Sequence, residues 1–341
     1  MRHVLPQLSL DRIFTNCDSL VESIFTEITM FQQMRNTTLL LLLLTGVLWA
    51  GEITQVGEPI ALSKSGQIYI SPKWSPLGSQ LAVAGVKYSG IYLINFPSGE
   101  MSQLTAELGA GYGFSWSPDG AHITARTATY EDHIKLSQIK VFALDGSSEA
   151  LSQKQSLMTG LPIWSRSGAS IHLKSQKSFQ TYSLGKQVDD VEAGSLLFLH
   201  NLGIYKRDFD TGTDQLVSAP GQRVLHLALS PLGTHFVYST VGEYLWIADM
   251  DGSNRQQLGR GTAPTWSPDG KWIASMITED DGHVFTGSDI LIYRASKGTV
   301  SKLTATPDIY EMHPTWSPDG KWLAYDNEHD GRIWVIQVEE N

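Results

Sequence analysis

The chain has almost no cysteine, and that scarcity excludes two kinds of site. Cys17 is the single cysteine among 341 residues, so neither a disulfide framework nor a cysteine-based metal site can form. The Gly-x-Ser-x-Gly elbow of α/β-hydrolases is absent. The spacings of an EF-hand loop and of a His-Glu-x-x-His zinc site are absent as well. We therefore expect no metal and no other cofactor.

Basic residues are too few for a nucleic-acid-binding protein. The chain carries 25 Lys and Arg against 35 Asp and Glu, which gives a formal net charge of −10. Proteins that bind DNA or RNA normally present a basic surface. The charge balance therefore predicts that nucleic acid is not a partner.

No apolar run is long enough to span a bilayer. The longest covers about twelve residues, 39–50, whereas a membrane-spanning helix needs ~20. It has the length of a signal-peptide core. We predict a non-mature upstream extension at 1–33, a signal peptide at 34–50 and a periplasmic or secreted mature domain at 51–341. A cytoplasmic tail before a membrane anchor remains the alternative for 1–33.

Glycine and tryptophan are abundant, with 31 and 10 residues, and both recur in a repeated motif. The clearest copies read Trp-Ser-Pro-Asp-Gly-Lys-Trp, and degenerate copies keep the serine and glycine. The glycines are 42, 48, 65, 37 and 50 residues apart, mostly close to the ~40–50-residue period of propeller blades. The motif residues are Trp74, Trp116, Trp164, Trp266, Trp316, Gly78, Gly120, Gly168, Gly233, Gly270 and Gly320.

The motif has the features of a tight turn between two buried strands. Pro presets φ in Ser-Pro-Asp-Gly, and Gly supplies freedom at the exit, as in a type I turn. A third apolar strand and an Asp-Gly or similar turn follow in most units. The sequence predicts an all-β propeller of four-stranded antiparallel blades. The tryptophans are expected to pack in the core, with an exposed aromatic row that binds sugars or peptides as the alternative.

The number of blades depends on the 65-residue gap. This gap contains strand candidates at 179–182, 195–199 and 204–207, which predicts a seventh unit whose turn has decayed to 191–194. Only about ten residues join 184 to 195, although two strands should fit there. Seven blades are favoured over six plus an inserted hairpin. The segment 58–63 is expected to supply the last edge strand and close the ring.

The Trp-Ser-Pro-Asp-Gly-Lys units resemble the blades of the TolB propeller family over roughly residues 58–341. The resemblance implies an envelope protein that binds other proteins through a propeller. TolB-type proteins also carry an α/β domain before the propeller, and this sequence has no counterpart to it. We therefore expect a free-standing propeller. The resemblance is specific for fold and weak for function.

Acidic and histidine residues recur in one set of loops, which the alternation of strand direction places on one face of the ring. They could form an acidic docking rim or hold a divalent cation, or they could simply be solvated turn residues. The first interpretation predicts a partner-binding site. Its residues are Asp132, His133, Asp280, His283, His313 and His329.

The first strand of each unit is expected to line the central channel with small and apolar residues and few titratable groups, which argues against catalysis. We therefore expect a non-enzymatic, monomeric platform that binds an envelope protein or peptide. The alternative is a metal-dependent lyase or hydrolase-type propeller, or a carbohydrate-binding one.

Overall fold

The structure is a computed structural model that describes residues 51–158, 160–175, 178–184, 194–306 and 309–341. The predicted extension and signal peptide lie outside these residues. Most of the decayed turn, 191–193, also lies outside them. Within the described ranges, the chain forms β-strands and one short 3-10 helix, Val86–Tyr88. No helix in this part is long and apolar enough to cross a membrane.

The strands form seven antiparallel blades in a ring, which confirms the predicted fold and the higher blade number. The chain enters through β1 (Ile53–Ala61). Blade 1 contains β2 (Tyr69–Trp74), β3 (Gln80–Gly85), β4 (Ile91–Asn95) and β5 (Met101–Thr105). Blade 2 contains β6 (Ser115–Trp116), β7 (His122–Glu131), β8 (Ile134–Ala143) and β9 (Ser148–Ala150).

Blades 3 and 4 each show three strands in the described residues. Blade 3 contains β10 (Ile163–Trp164), β11 (Ser170–Lys174) and β12 (Phe179–Ser183). Blade 4 contains β13 (Ser195–His200), β14 (Gly203–Asp208) and β15 (Asp214–Leu216). Residues 185–193, which connect β12 to β13, lie outside the described residues.

The last three blades have four strands each. Blade 5 contains β16 (Val224–Leu229), β17 (His235–Thr240), β18 (Tyr244–Asp249) and β19 (Gln256–Arg260). Blade 6 contains β20 (Thr262–Trp266), β21 (Trp272–Asp280), β22 (Phe285–Arg294) and β23 (Val300–Lys302). Blade 7 contains β24 (Glu311–Trp316), β25 (Trp322–Asn327) and β26 (Ile333–Glu340), with β1 as its fourth strand.

The pairing of β1 with β26 closes the ring, as the sequence predicts. The two strands run antiparallel from Ile53 opposite Glu340 to Ala61 opposite Trp334. Just beyond β1, the Ile333 backbone N–H donates to the Ser63 hydroxyl at 2.9 Å. Closure joins the two ends of the described chain in one sheet and removes an edge that could pair with other molecules.

The repeated turns share one hydrogen-bond pattern. In the last copy, the Gly320 N–H donates to the Ser317 carbonyl at 2.9 Å, which closes the four-residue turn. The Ser317 hydroxyl donates to Asp319 at 2.6 Å and accepts from the Trp322 N–H at 2.9 Å. Gly320 has φ of +72°, a conformation that only glycine adopts without strain. These polar groups of the motif thus find their hydrogen-bond partners within the motif itself.

The motif tryptophans link neighbouring blades. The indole N–H of Trp116 donates to the Lys73 carbonyl of the preceding blade at 3.0 Å, and that of Trp266 donates to the Ala228 carbonyl at 3.1 Å. Trp74 and Trp164 make the equivalent bond. The rings of Trp74, Trp116 and Trp266 lie in hydrophobic clusters built from two adjacent blades. Each blade therefore buries its sheet against the next one, as propeller geometry requires.

Candidate functional site

The ring has two different faces. The repeated turns, and the turns between third and fourth strands, lie on one side, which we call the turn face. The connections between second and third strands, and those between blades, lie on the opposite side, which we call the loop face. The longest hairpins of the ring, β7–β8 and β21–β22, project on the loop face, with strands of nine or ten residues.

Asp132 and His133 form the tip of the β7–β8 hairpin. Glu131 pairs with Ile134, so the turn contains only these two residues. Both have positive φ, 46° and 66°, which matches the type I′ turn that suits tight hairpins. Both side chains are exposed. The hairpin therefore presents a carboxylate and an imidazole at its tip, beside the exposed ring of Tyr130.

Asp280 and His283 lie at the tip of the β21–β22 hairpin. The Gly282 N–H donates to Asp280 at 2.9 Å, and the His283 N–H donates to Asp281 at 2.8 Å. The two carboxylates thus stabilise the turn through these hydrogen bonds and also give it negative charge. Both predicted residues are exposed, next to an exposed Val284.

His329 and His313 belong to blade 7 and differ in setting. His329 lies in the exposed β25–β26 connection, and its ring stacks on Tyr310 at 5.8 Å between centroids. His313 lies on the innermost strand β24, where its Nδ1 is 3.0 Å from Asp326 Oδ1. Burial opposes protonation, but the Asp326 carboxylate outweighs it and raises the pKa of His313. His313 is therefore a channel residue held by an ion pair rather than a rim residue.

The structure places the predicted residues on the loop face or next to it, but on three separate blades. In the described part of the chain, no group of three His, Cys, Asp or Glu side chains is arranged to hold a metal ion. The arrangement is an interrupted rim around the channel mouth. Such a rim can steer and orient a partner, because several spaced charges act together on an approaching surface.

The innermost strands border the channel with alternating exposure. In β2, β20 and β24, the proline and the final tryptophan are buried, and the residues between them are half-buried. Alternate residues of a strand share one side, so the half-buried set lines the channel. In the layer next to the motif tryptophan, this set is Lys73, Ser115, Ile163, Thr265 and Thr315.

Lys73 is a channel residue that the sequence analysis did not single out. Its ammonium donates to the Phe114 carbonyl and lies 4.9 Å from the centroid of the Phe114 ring. Burial lowers the pKa of Lys73 to about 8. The side chain keeps partial solvent exposure despite this enclosure, as expected for a group inside a water-accessible channel. The channel lining thus contains a titratable side chain where the sequence predicts small and apolar residues.

His226, on β16, is a second titratable residue that the sequence analysis did not single out. Its Nδ1 lies 2.9 Å from the Ser239 hydroxyl and 3.1 Å from the Thr262 hydroxyl. Burial, assisted by the nearby His313, lowers the pKa of His226. The signal that could have found it is its place three residues before Leu229, which matches the place of His313 before Trp316.

A bulge shapes the loop-face end of three innermost strands. The pairing shifts within β2, β20 and β24, and Ser71, Ala263 and His313 have φ of 55°, 47° and 49° at these points. Positive φ is strained for residues with a side chain. In blade 1 the bulge turns the Ser71 N–H onto Asp326 at 3.0 Å. Bulges of this kind re-aim side chains beside functional sites.

Glu311, at the loop-face end of β24, is 1% exposed. Neither of its carboxylate oxygens meets the geometric criteria for a hydrogen bond among the described residues, although the nearby hydroxyls of Thr304 and Thr306 act to lower its pKa. Burial, reinforced by the Asp289 carboxylate, raises the pKa of Glu311 to about 7. An unsatisfied buried carboxyl is uncommon and costs stability.

The protein is a seven-bladed β-propeller whose loop-face connections differ from blade to blade around the channel opening. No protein-family model and no curated protein matches the chain. Among solved structures, the putative TolB from Agrobacterium tumefaciens aligns with a TM-score of 0.53 at 17% identity, covering 85% of this chain and 96% of that one. The fold is thus that of a TolB-like propeller.

TolB from Acinetobacter baumannii also aligns, with a TM-score of 0.45 at 16% identity. That alignment covers 80% of this chain and 63% of the other. At these identities the likeness concerns the fold alone, so the residues of the loop face have to carry any functional argument.

Proposed function

We propose that the mature chain, residues 51–341, is a non-catalytic, monomeric, periplasmic or secreted platform whose loop face binds a protein or peptide of the cell envelope. The observation that carries the proposal is the pair of long hairpins on blades 2 and 6. They hold Asp132, His133, Asp280 and His283 at exposed tips, clear of the ring. A TolB-like propeller fold supports a protein-binding role.

Polar and apolar groups at the same tips suit a protein partner. Tyr130 and Ile134 flank the first turn, and Val284 and Phe285 follow the second, all exposed. Aromatic and apolar side chains supply most of the energy of protein interfaces, while the charges around them set orientation and association rate. The net charge of −10 favours a basic or mixed partner surface. His329 continues the rim on blade 7, and His313 lies inside the rim, on the channel-lining strand β24.

The test is capture from a cell-envelope extract with the purified protein. The variant carries Ala at Asp132, His133, Asp280 and His283. The matched control carries Ala at Glu100 and Asp210, which are exposed on the turn face. The proposal expects one partner that wild type and control retain and the rim variant loses. Equal retention by all three proteins, or no partner for any, would contradict it.

One observation favours the enzymatic alternative, a metal-dependent lyase or hydrolase-type propeller. Asp326 orients His313 as acidic residues orient general bases, and the His313 Nε2 makes no hydrogen bond in the described residues. Metal analysis of the purified protein separates the two functions. One equivalent of a transition metal would favour the enzyme, and a metal-free protein that captures a partner would favour the platform.

A further inference from the structure

A cavity opens on the turn face where blade 7 meets blade 1. It measures ≈ 350 Å³, which lies within the ~300–1,000 Å³ range of small-molecule sites. The exposed Leu77 and the exposed carboxylate of Asp319 lie at its mouth, on the repeated turns of the two blades. Three aromatic side chains, Trp74, Phe96 and Trp322, also line it. The cavity therefore combines aromatic rings with a negative charge.

The three rings surround the cavity from different directions. Phe96 lies between the two tryptophans, with its ring centroid 5.0 Å from that of Trp74 and 5.2 Å from that of Trp322. The ring planes are inclined at 79° and 66° to that of Phe96. Aromatic rings attract cations through the negative charge of their faces, so this arrangement suits a positively charged group.

The corresponding tryptophan of blade 6 is already covered by a cation of the protein. Trp272 and Trp322 begin the second strands of blades 6 and 7. Trp272 pairs with Arg294, whose guanidinium lies 5.2 Å from the Trp272 ring centroid. Trp322 pairs instead with the neutral Gln337. Within the described ranges, no lysine or arginine lies over any of the three rings of the cavity.

The turn carboxylates of blades 6 and 7 differ in the same way. Asp269 of blade 6 forms an ion pair with Lys271 at 3.2 Å. Asp319, its counterpart, has no ion pair in the part of the chain that the structure describes. Its Oδ1 accepts from the Ser317 hydroxyl at 2.6 Å and from the Lys321 N–H at 3.1 Å. Burial opposes ionisation, but these bonds and the Lys321 charge outweigh it and lower the pKa of Asp319. The carboxylate is therefore charged at neutral pH.

The lining side chains offer few hydrogen bonds to a ligand. The Ser317 hydroxyl is bonded to Asp319 and to the Trp322 backbone N–H, and the Trp74 indole donates to the Thr315 carbonyl. Of the lining side chains, described throughout, only Asp319 Oδ2 and the Trp322 indole N–H stay free. A sugar or a primary ammonium needs more partners than these, since an –NH₃⁺ group alone has three donors. A quaternary ammonium carries charge without any N–H group, and aromatic rings are its usual binding partners in proteins.

We propose that this cavity binds a quaternary ammonium group, which lies against the rings of Trp74, Phe96 and Trp322 and is balanced in charge by Asp319. The group belongs either to a free small molecule or to the headgroup of a lipid. The cavity is on the turn face and contains none of the rim residues of the loop face. The proposal is therefore independent of the partner-binding role of the rim.

The experiment is calorimetric titration of the full chain with choline at constant ionic strength. The control ligand is the neutral carbon analogue of choline, in which a tert-butyl group replaces the trimethylammonium group. Saturable binding of choline is expected, with binding of the analogue weaker by about tenfold or more. Cosedimentation with phosphatidylcholine vesicles, but not with phosphatidylglycerol vesicles, would identify a lipid headgroup as the source. Binding of choline without cosedimentation would identify a free ligand.

Gln337→Arg is the most informative variant, because it recreates the arginine that covers the tryptophan in blade 6. It changes an exposed residue, and it should weaken choline binding by about tenfold or more. Asp319→Asn should weaken binding similarly, whereas the matched control Asp269→Asn should leave it unchanged. No saturable binding of choline, equal affinity for the neutral analogue, competition by methyl glucoside, or wild-type affinity in Gln337→Arg would overturn the proposal.

Discussion

The turn face and the loop face of the ring differ in regularity. On the turn face, six turns repeat one hydrogen bond, from the glycine N–H to the serine carbonyl, at 2.8–3.1 Å. On the loop face the connections differ from blade to blade, from the two-residue tip after β7 to the bulged strands beside the channel. A repeat specifies the scaffold, and departures from the repeat are where a propeller acquires individual binding properties.

The carboxylates of the two faces show the same contrast. Hydrogen bonds from the Ser117 hydroxyl and the Ala121 N–H lower the pKa of Asp119 on the turn face. Glu311, near the loop face, is buried without such bonds, and its pKa is raised to about 7. Satisfied groups stabilise the turn face, whereas unsatisfied groups and positive φ values store strain beside the channel.

The largest effect is expected from breaking the scaffold at the turn face. Trp266→Ala removes a buried ring and its bond to the Ala228 carbonyl, and should lower the free energy of unfolding by about 3–5 kcal/mol. Tyr130→Ala, at an exposed loop-face tip, should change it by less than about 0.5 kcal/mol. Urea unfolding followed by tryptophan and tyrosine fluorescence measures both. Equal decreases in the free energy of unfolding for the two variants would contradict the distinction between scaffold and rim.

Glu311→Gln sharpens the comparison of carboxylates. The unfolded carboxyl titrates near its ordinary value, ~4.3, so the folded protein holds an extra proton between there and pH 7. Stability therefore falls as pH rises through this window, by roughly 4 kcal/mol at most. The stability of the Glu311→Gln variant should not decrease in this pH window. The exposed control Glu339→Gln should show the same decrease as the wild type. Thermal melting at pH 4.5, 6 and 7.5 is the measurement, and parallel profiles for all three proteins would count against the buried acid.

The smallest effect separates stability from binding at the loop face. Asp132→Asn with His133→Gly supplies the residues that a type I′ turn prefers, at two positions of positive φ. The melting temperature should rise, by the equivalent of about 0.5–1 kcal/mol, while recovery of the envelope partner should fall. A lower melting temperature would show that Asp132 and His133 stabilise the hairpin. Unchanged recovery of the partner would show that the two residues do not take part in partner binding.

The repeating parts of the fold could be predicted from the sequence. The Trp-Ser-Pro-Asp-Gly copies predict the blades, and the chain after Gly194 predicts β13 in a seventh one, because turn chemistry and strand alternation are local properties. The ring closure through Ser63 and Ile333 also followed, since an unpaired edge strand needs a partner.

The channel was less predictable. Lys73 and His226 lie in different blades, and only the closed ring brings them toward His313. The pairing of His313 with Asp326 follows from a bulge in β24 that no local pattern announces. Long-range contacts of this kind depend on tertiary geometry rather than on residue spacing.

The central claim is that partners dock on the loop face, and site-specific photo-crosslinking tests it most directly. A photoreactive phenylalanine analogue replaces Tyr130 or Val284 on the loop face, and Leu77 or Leu232 on the turn face, all of them strongly exposed. Irradiation of living cells should give a discrete crosslinked partner from both loop-face positions and none from the turn face. A partner crosslinked only from Leu77 or Leu232 would contradict the account.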